Sequence, residues 1–271
     1  MIEQYLNYLR AIRGYSENTI KAYARDILAF AQWAKRNKQN ARWSTITRED
    51  IDRYITTRYA SGRKATTTNR ELASISSIFR YMQREGLRQD NPCKYESRRK
   101  TPQTIPTVLQ TAELILAYQN ASGARKTMLG LLATTGIRIQ EMLDLTWEDI
   151  DFEENSLVIT GKGNKQRKVY TTKDVLQDLR ELHELTKPSG RIFGIKQRTA
   201  RKMIYEALKP YCNSTHLNPH TIRHTYATEL AKQGESALKI AKALGHSHIE
   251  TSQKYINIAE IPTTHKGICL T

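Results

Sequence analysis

The sequence predicts a mainly α-helical chain in two domains, the second carrying a small β-hairpin. Three observations lead there. Apolar residues recur at helical spacing through most of the length, as in Ile20, Tyr23, Ala24, Ile27, Leu28 and Ala31. Strand-like runs stand only at 156–160 and 167–171, joined by the basic, glycine-containing segment Gly161-Lys162-Gly163-Asn164-Lys165-Gln166. Residues 94–107 have no apolar period, two prolines and the triplet Arg98-Arg99-Lys100, which reads as an extended linker. The domains are therefore expected at 1–93 and 108–271.

Residues 2–12 form the first expected helix, and Ser16 is a good N-cap for the second. A third follows Thr47, with Glu49 and Asp50 in its first turn and Ile51, Tyr54 and Ile55 on one face. Thr66 to Thr68 offer caps for a fourth, which carries Leu72, Ile75, Phe79 and Met82 and stops at Gly86. Together these make a four-helix unit whose polar faces hold Lys21, Arg25, Lys35, Arg36, Arg58, Arg63, Lys64 and Arg70.

The second domain opens with helices near 111–120 and 122–135, closed by Gly136. Arg138 follows, with Glu141 one turn further on, placed to hold it. After the hairpin come helices near 173–185, where His183 reads as an ordinary polar-face residue, and 197–209. The stretch 219–255 divides into three short helices at Gly234 and Gly245. Ser247 and Glu250 are spaced as a capping box for the last of these, which bears Tyr255.

Charge points to the partner. The formal net charge is +16, and residues 1–110 hold 21 Lys+Arg against 10 Asp+Glu, while 111–271 hold 22 against 17. Such an excess favours a polyanion, most simply nucleic acid. With 39% apolar and 26% charged residues the chain is globular rather than disordered. It has no apolar run near the ~20 residues of a membrane span and no signal-peptide pattern. Cys93, Cys212 and Cys269 are odd in number and far apart, which suits a reducing cytosol.

Several chemistries find no support. No phosphate-binding loop of the Walker kind follows a strand, and no carboxylate cluster suggests a two-metal nuclease. His220 and His224, spaced i, i+4, would suit zinc, but position 221 is not Glu and no third ligand is evident. No metal is expected.

What remains is an ordered set: Arg138 in Thr-Gly-Ile-Arg-Ile-Gln-Glu, Lys162 in Gly-Lys-Gly, His220-x-x-Arg223, Leu244-Gly245-His246 and Tyr255. This resembles the tyrosine recombinases of the phage integrase family, compact Xer-like members above all, over nearly the whole chain. The N-terminal unit is similar to that family's core-binding, SAM-like domain, and no further arm-binding domain is expected. The resemblance implies the tyrosine recombinase fold. It also implies site-specific strand exchange through a 3′-phosphotyrosine, without metal, ATP or any cofactor.

In that chemistry Tyr255 attacks, Arg138 and Arg223 bind the non-bridging phosphate oxygens, and His246 donates to the same phosphate. His220 accepts the phenol's proton, Lys162 protonates the leaving 5′-oxygen, and Glu141 supports Arg138. Lys21, Arg25, Arg63, Lys64, Arg70 and Lys165 are the expected DNA contacts. The implied partners are double-stranded DNA and further copies of the chain, a tetramer on two sites joined through the C-terminal tail. A partner recombinase or accessory protein is also in view, and the expected location is the cytoplasm, at the nucleoid. Two other readings share parts of the pattern. A type IB topoisomerase-like enzyme would relax any supercoiled plasmid as a monomer, and an idle DNA-binding regulator would have no use for the whole set.

Overall fold

The computed structural model describes residues 1–94, 99–101, 106–161, 163–186, 190–246 and 248–259. The chain falls into two units, Met1–Gln103 and Thr104–Thr271.

Four helices build the first: α1 (Ile2–Ala11), α2 (Glu17–Asn37), α3 (Arg48–Ala60) and α4 (Ala65–Arg84). The Ser16 hydroxyl accepts from the Thr19 N–H, and Thr47 with Asp50 forms a reciprocal capping box, so both starts are locally determined. The start of α4 differs from expectation. Lys64 precedes it without a side-chain cap, and Thr66 to Thr68 lie inside the first turns, with Thr68 fully buried. Burial of that face, rather than a hydroxyl cap, sets where α4 begins. Phe30, Tyr54, Ile75 and Phe79 form one apolar cluster with Trp33 and Trp43, while Tyr5, Leu9, Ile20, Ile27 and Ile78 form another.

Buried carboxylates brace this unit and change the reading of two basic residues. Asp26, buried on α2, receives hydrogen bonds from Arg70 and from the Ser74 hydroxyl of α4. Glu71 of α4 takes Arg58 Nε at 2.7 Å and the Tyr54 hydroxyl at 3.1 Å. A buried acid must be paired in this way, because an isolated charge is costly to desolvate. Arg70, expected on DNA, thus also holds α4 on α2, and Arg58 holds α4 on α3. Lys21, Arg25, Arg63 and Lys64 stand exposed. Part of the expected linker is packed within this unit: the Arg99 carbonyl accepts from Asn69 at 2.9 Å, and its guanidinium lies 3.8 Å from the Tyr59 ring centroid.

The second unit contains α5 (Thr111–Gln119), α6 (Gly123–Thr135), α7 (Ile139–Asp144) and a 3₁₀ turn at Trp147–Asp149. A three-stranded antiparallel sheet follows: β1 (Ile150–Asp151), β2 (Ser156–Thr160) and β3 (Gln166–Tyr170), in that order. β1 was not expected, since two residues are too few to show alternation. Then come α8 (Lys173–Thr186), α9 (Gln197–Leu208), α10 (Pro219–Lys232), α11 (Ala237–Leu244) and α12 (Glu250–Ala259). The sheet turns Leu157, Ile159 and Val169 into a large core shared with Met128, Leu129, Leu132, Leu179 and Ile222. A smaller cluster, Ala227, Ile240, Leu244 and Tyr255, packs α10, α11 and α12 together. Among the described residues no helix is long and apolar enough to cross a membrane.

Candidate active site

The site is assembled around the C-terminal end of α11. That helix stops at Gly245, which takes a left-handed φ of 64°. Three arginines from three elements reach its final carbonyls. Arg167 Nε of β3 donates to Ala243 O at 3.1 Å, Arg223 Nη2 of α10 to Leu244 O at 2.7 Å, and Arg138 Nη2 to Gly245 O at 3.2 Å. The negative end of a helix dipole is where cations are most stable, so the backbone itself gathers the charges.

Each arginine is also aimed from its root. α10 begins with Pro219 behind Asn218, whose Oδ1 accepts from the N–H groups of His220 and Thr221. That start fixes the helix phase, and with it the inward direction of Arg223, which is 5% exposed. Arg223 Nη1 donates to Gly136 O at 2.7 Å. Gly136 closes α6 at φ 60°, and a Cβ there would lie 2.3 Å from Tyr226 Cδ1 and 2.8 Å from Leu244 Cδ2. Gly136→Ala should therefore cost about 1–2 kcal/mol for the left-handed backbone and about 1–3 kcal/mol for forced packing. Urea unfolding measures that loss, and an unchanged midpoint would contradict it.

Just beyond Gly136, Arg138 enters α7. Its N–H and its Nη1 both donate to Glu141, each at 2.8 Å. Burial alone would raise the Glu141 carboxyl, but hydrogen bonds from Arg167 and from the Arg138 backbone hold it below its ordinary value. Glu141 is thus a fixed anion between two guanidiniums.

The imidazoles and the phenol come from the last three helices. His246 Nδ1 lies 2.7 Å from the buried Ser252 Oγ. When Ser252 donates, the ring proton sits on Nε2 and is available to an acceptor. Tyr255 is 1% exposed, its ring close to parallel with that of His246 at 6.4 Å. Its hydroxyl lies 2.8 Å from His224 Nδ1.

Burial first, and mutual repulsion second, mark the electrostatics. Burial, then Arg138, draws the Arg223 guanidinium down to about 10, still charged at neutral pH. Burial, then Arg223 and Arg138, brings His246 from 6.5 to about 4. Burial, then Lys254, does the same for His224. His220 is lowered by burial, then by Arg201, Arg223 and Arg138. The Tyr255 phenol is raised by burial, with Arg223 opposing. An anion seated among these groups would offset their repulsion.

A stability prediction follows from the depressed histidines. An unfolded chain takes up these protons near pH 6.5, whereas the folded site keeps His246 and His224 neutral down to about 4. Their contribution is present above pH 6.5 and is lost as pH falls through that window. Tm should decline from pH 6.5 towards 4, and His246→Asn should make the decline shallower; an equally steep one would contradict the assignment.

The structure brings Arg138, Glu141, Arg223 and His246 together around the C-terminal end of α11, with His220 close enough to feel both arginines. It places the Tyr255 hydroxyl on His224, whereas the sequence suggested His220 as its proton acceptor. Lys162 lies outside the described residues, as does the proposed cap Ser247. Gly161, at the root of the hairpin, is described: a Cβ built there would lie 3.5 Å from Arg167 Nη1 and 3.6 Å from Glu141 Oε1. Lys165 is exposed, and its carbonyl accepts from the Gly161 N–H at 2.8 Å. Among the described residues no three His, Cys, Asp or Glu side chains group as a metal site.

Sequence reasoning missed Arg167, Arg201, Ser252 and the role of His224. Arg167 did carry a signal, because it shares the inward face of β3 with Val169 and pairs across the sheet with the buried Ile159. A charge at such a position needs a buried partner. Nothing local distinguishes Ser252 or Arg201.

Residues 99–260 match the phage integrase family, and residues 2–86 match the phage integrase N-terminal SAM-like domain. Tyrosine recombinase XerD of Proteus mirabilis is 31% identical, the alignment covering 96% of this chain and 88% of the relative. Tyrosine recombinase XerC of Lactobacillus delbrueckii subsp. bulgaricus is 26% identical, with 95% and 94% covered. Among solved structures, XerH site-specific recombinase bound to palindromic difH substrate, a post-cleavage complex, superposes with a TM-score of 0.74 at 19% identity, covering 96% and 82%. A lambda integrase dimer bound to a COC′ core site gives 0.73 at 19%, covering 99% and 98%. These last two share the fold. With more than half its length matched to the catalytic family and a whole-length relative above 30% identity, this chain belongs to the phage integrase family, the tyrosine recombinases.

Proposed function

We propose that this site-specific recombinase cleaves and rejoins double-stranded DNA through a phosphotyrosine formed on Tyr255, with Arg138, Arg223 and His246 holding the scissile phosphate. The observation that supports this most is the gathering of cationic donors at the end of α11, beside neutral imidazoles and a phenol. A phosphodiester brings one negative charge into that field, and more develops on its oxygens as phosphorus becomes pentacoordinate. Fixed guanidinium forks bind the developing charge more strongly than the starting one, which lowers the barrier.

The bond from the Tyr255 oxygen to phosphorus forms while the bond to the 5′-oxygen breaks. The phenol's proton passes to a neutral imidazole: His224 holds that oxygen here, and His220 is the acceptor once the phenol faces the phosphate. Lys162 is the proposed donor to the 5′-oxygen. The phosphotyrosine retains the energy of the broken bond, so a 5′-hydroxyl from another strand reseals it without ATP. A phenol this buried reaches DNA only after α12 shifts. Assembly of a tetramer on two sites, through the segment after α12, is the proposed trigger. Lys21, Arg25, Arg63, Lys64 and Lys165 are the proposed phosphate contacts, and the reaction is placed on DNA in the cytoplasm.

Target sites selected from a random-sequence duplex library supply the substrate for a test. On a nicked suicide version of such a site, the protein should form an adduct that survives denaturant. Proteolysis and mass spectrometry should map it to the peptide containing Tyr255, and EDTA should leave its yield unchanged. An adduct on another residue, or one abolished by EDTA and restored by zinc, would overturn the proposal.

A further inference from the structure

We infer that Arg167 is a positioning residue of this reaction: it sets the spacing of Arg138, Arg223 and His246 by tying Glu141 to the C-terminal end of α11. The inference rests on the proposed role of those three side chains as the phosphate cradle. In that scheme Arg167 is not among the groups that touch the reacting atoms; all three of its nitrogens instead donate within the protein. Nη1 and Nη2 donate to the two Glu141 oxygens at 3.2 and 2.8 Å, and Nε donates to Ala243 O at 3.1 Å. The guanidinium also packs on Gly245, where a Cβ would lie 3.0 Å from Nη1.

Each of these partners holds a member of the cradle or adjoins a residue that does. Glu141 binds Arg138 through both its N–H and its Nη1. Ala243 is followed directly by Leu244 and Gly245, whose carbonyls hold Arg223 and Arg138. Gly245 then sets where His246 leaves the helix. A shift of Arg167 is thus transmitted to both arginines and to the histidine together. Arg167 also lies on the strand that closes the hairpin, beside Gly161, so the same contact joins the hairpin to the pocket.

The arrangement needs a guanidinium. Three acceptors in two directions are met at once by a planar fork, whereas an ammonium on a flexible stem serves one of them at a time. Without the fork, Glu141 has only Arg138 to satisfy both of its oxygens. It then draws Arg138 inward, away from a phosphate. Arg167→Lys keeps the charge beside Glu141, and so preserves folding, while losing the geometry.

Covalent capture on the nicked substrate at saturating DNA, in a single turnover, reads the effect, with DNA affinity from mobility shifts and Tm alongside. Arg167→Lys should bind DNA like the unaltered protein and cleave about 10²-fold more slowly, the cost of a misplacement near 1 Å. Adding it to Glu141→Gln should cost no more than the worse single change, since the two act as a unit. Rates are compared well below each melting temperature, so a change that lowers Tm but leaves the rate intact counts against the inference. An unaltered rate in Arg167→Lys, or losses that multiply with those of Glu141→Gln, would overturn it. If the unaltered protein forms no adduct on the same substrate, the cradle itself fails, and the inference with it.

Discussion

Tyr255→Phe is expected to bind target DNA as the unaltered protein does and to form no denaturant-resistant adduct. On the proposed reading, binding draws on phosphate contacts spread over the surface, none of which uses the phenol. Cleavage depends on a single oxygen, and its removal leaves no nucleophile at that position. The substitution has a structural side as well. Tyr255 is 1% exposed, and its hydroxyl is the hydrogen-bond partner of His224 Nδ1. Removing it leaves a half-buried imidazole nitrogen without that partner, at about 1 kcal/mol, so Tm should fall modestly while the ring keeps packing against His246. The pair of results separates chemistry from folding. Mobility shifts and capture on one nicked duplex decide it, and an adduct persisting in the variant would assign the attack to another residue.

The parts of this fold that local chemistry dictates were legible in the sequence. Ser16, expected as a helix cap, acts as one, and α3 starts after Thr47 as expected, because a cap is satisfied within three residues. The glycine stops at 136 and 245 belong to the same class. Where a boundary depends on what the face packs against, local signals mislead. Thr66 to Thr68 look like caps, yet they lie inside α4 because that face is buried. Arg70 is legible as a cation but not as the partner of Asp26, 44 residues away in sequence.

The site divides in the same way. Residue types and their order point to the chemistry, and Arg138, Glu141, Arg223 and His246 lie together at the end of α11. The pattern does not contain the means of their meeting: three guanidiniums on successive carbonyls of one helix end. Nor does it show that the phenol rests on His224, a residue one helical turn past the expected acceptor on α10. Sequence spacing reports which faces coincide; the pose of a side chain on a short terminal helix is settled by packing between α10, α11 and α12.

Arg223→Lys should reduce single-turnover capture by about 10²–10³-fold, the usual cost of one lost donor to a developing oxyanion. The lysine retains the charge, so a small effect would mean that charge alone matters. The geometry argues otherwise. Arg223 spends Nη1 on Gly136 O and Nη2 on Leu244 O, both at 2.7 Å, which fixes the plane of the guanidinium between two helix ends. An ammonium cannot hold both carbonyls and also meet a phosphate in a fixed plane. Arg223→Ala goes further, orphaning two buried carbonyls at about 1–3 kcal/mol each, so its loss of capture combines chemistry with partial unfolding. Arg138→Lys supplies the comparison that separates them. The Arg138 side chain is 38% exposed and rests on Glu141 near the surface, so its replacement should cost much less in Tm for a similar loss of capture. If the two lysine variants lose capture in proportion to their loss of Tm, Arg223 serves the fold alone. If capture collapses in both while Tm falls mainly with Arg223, the two guanidiniums share the phosphate and only the inner one also supports the structure.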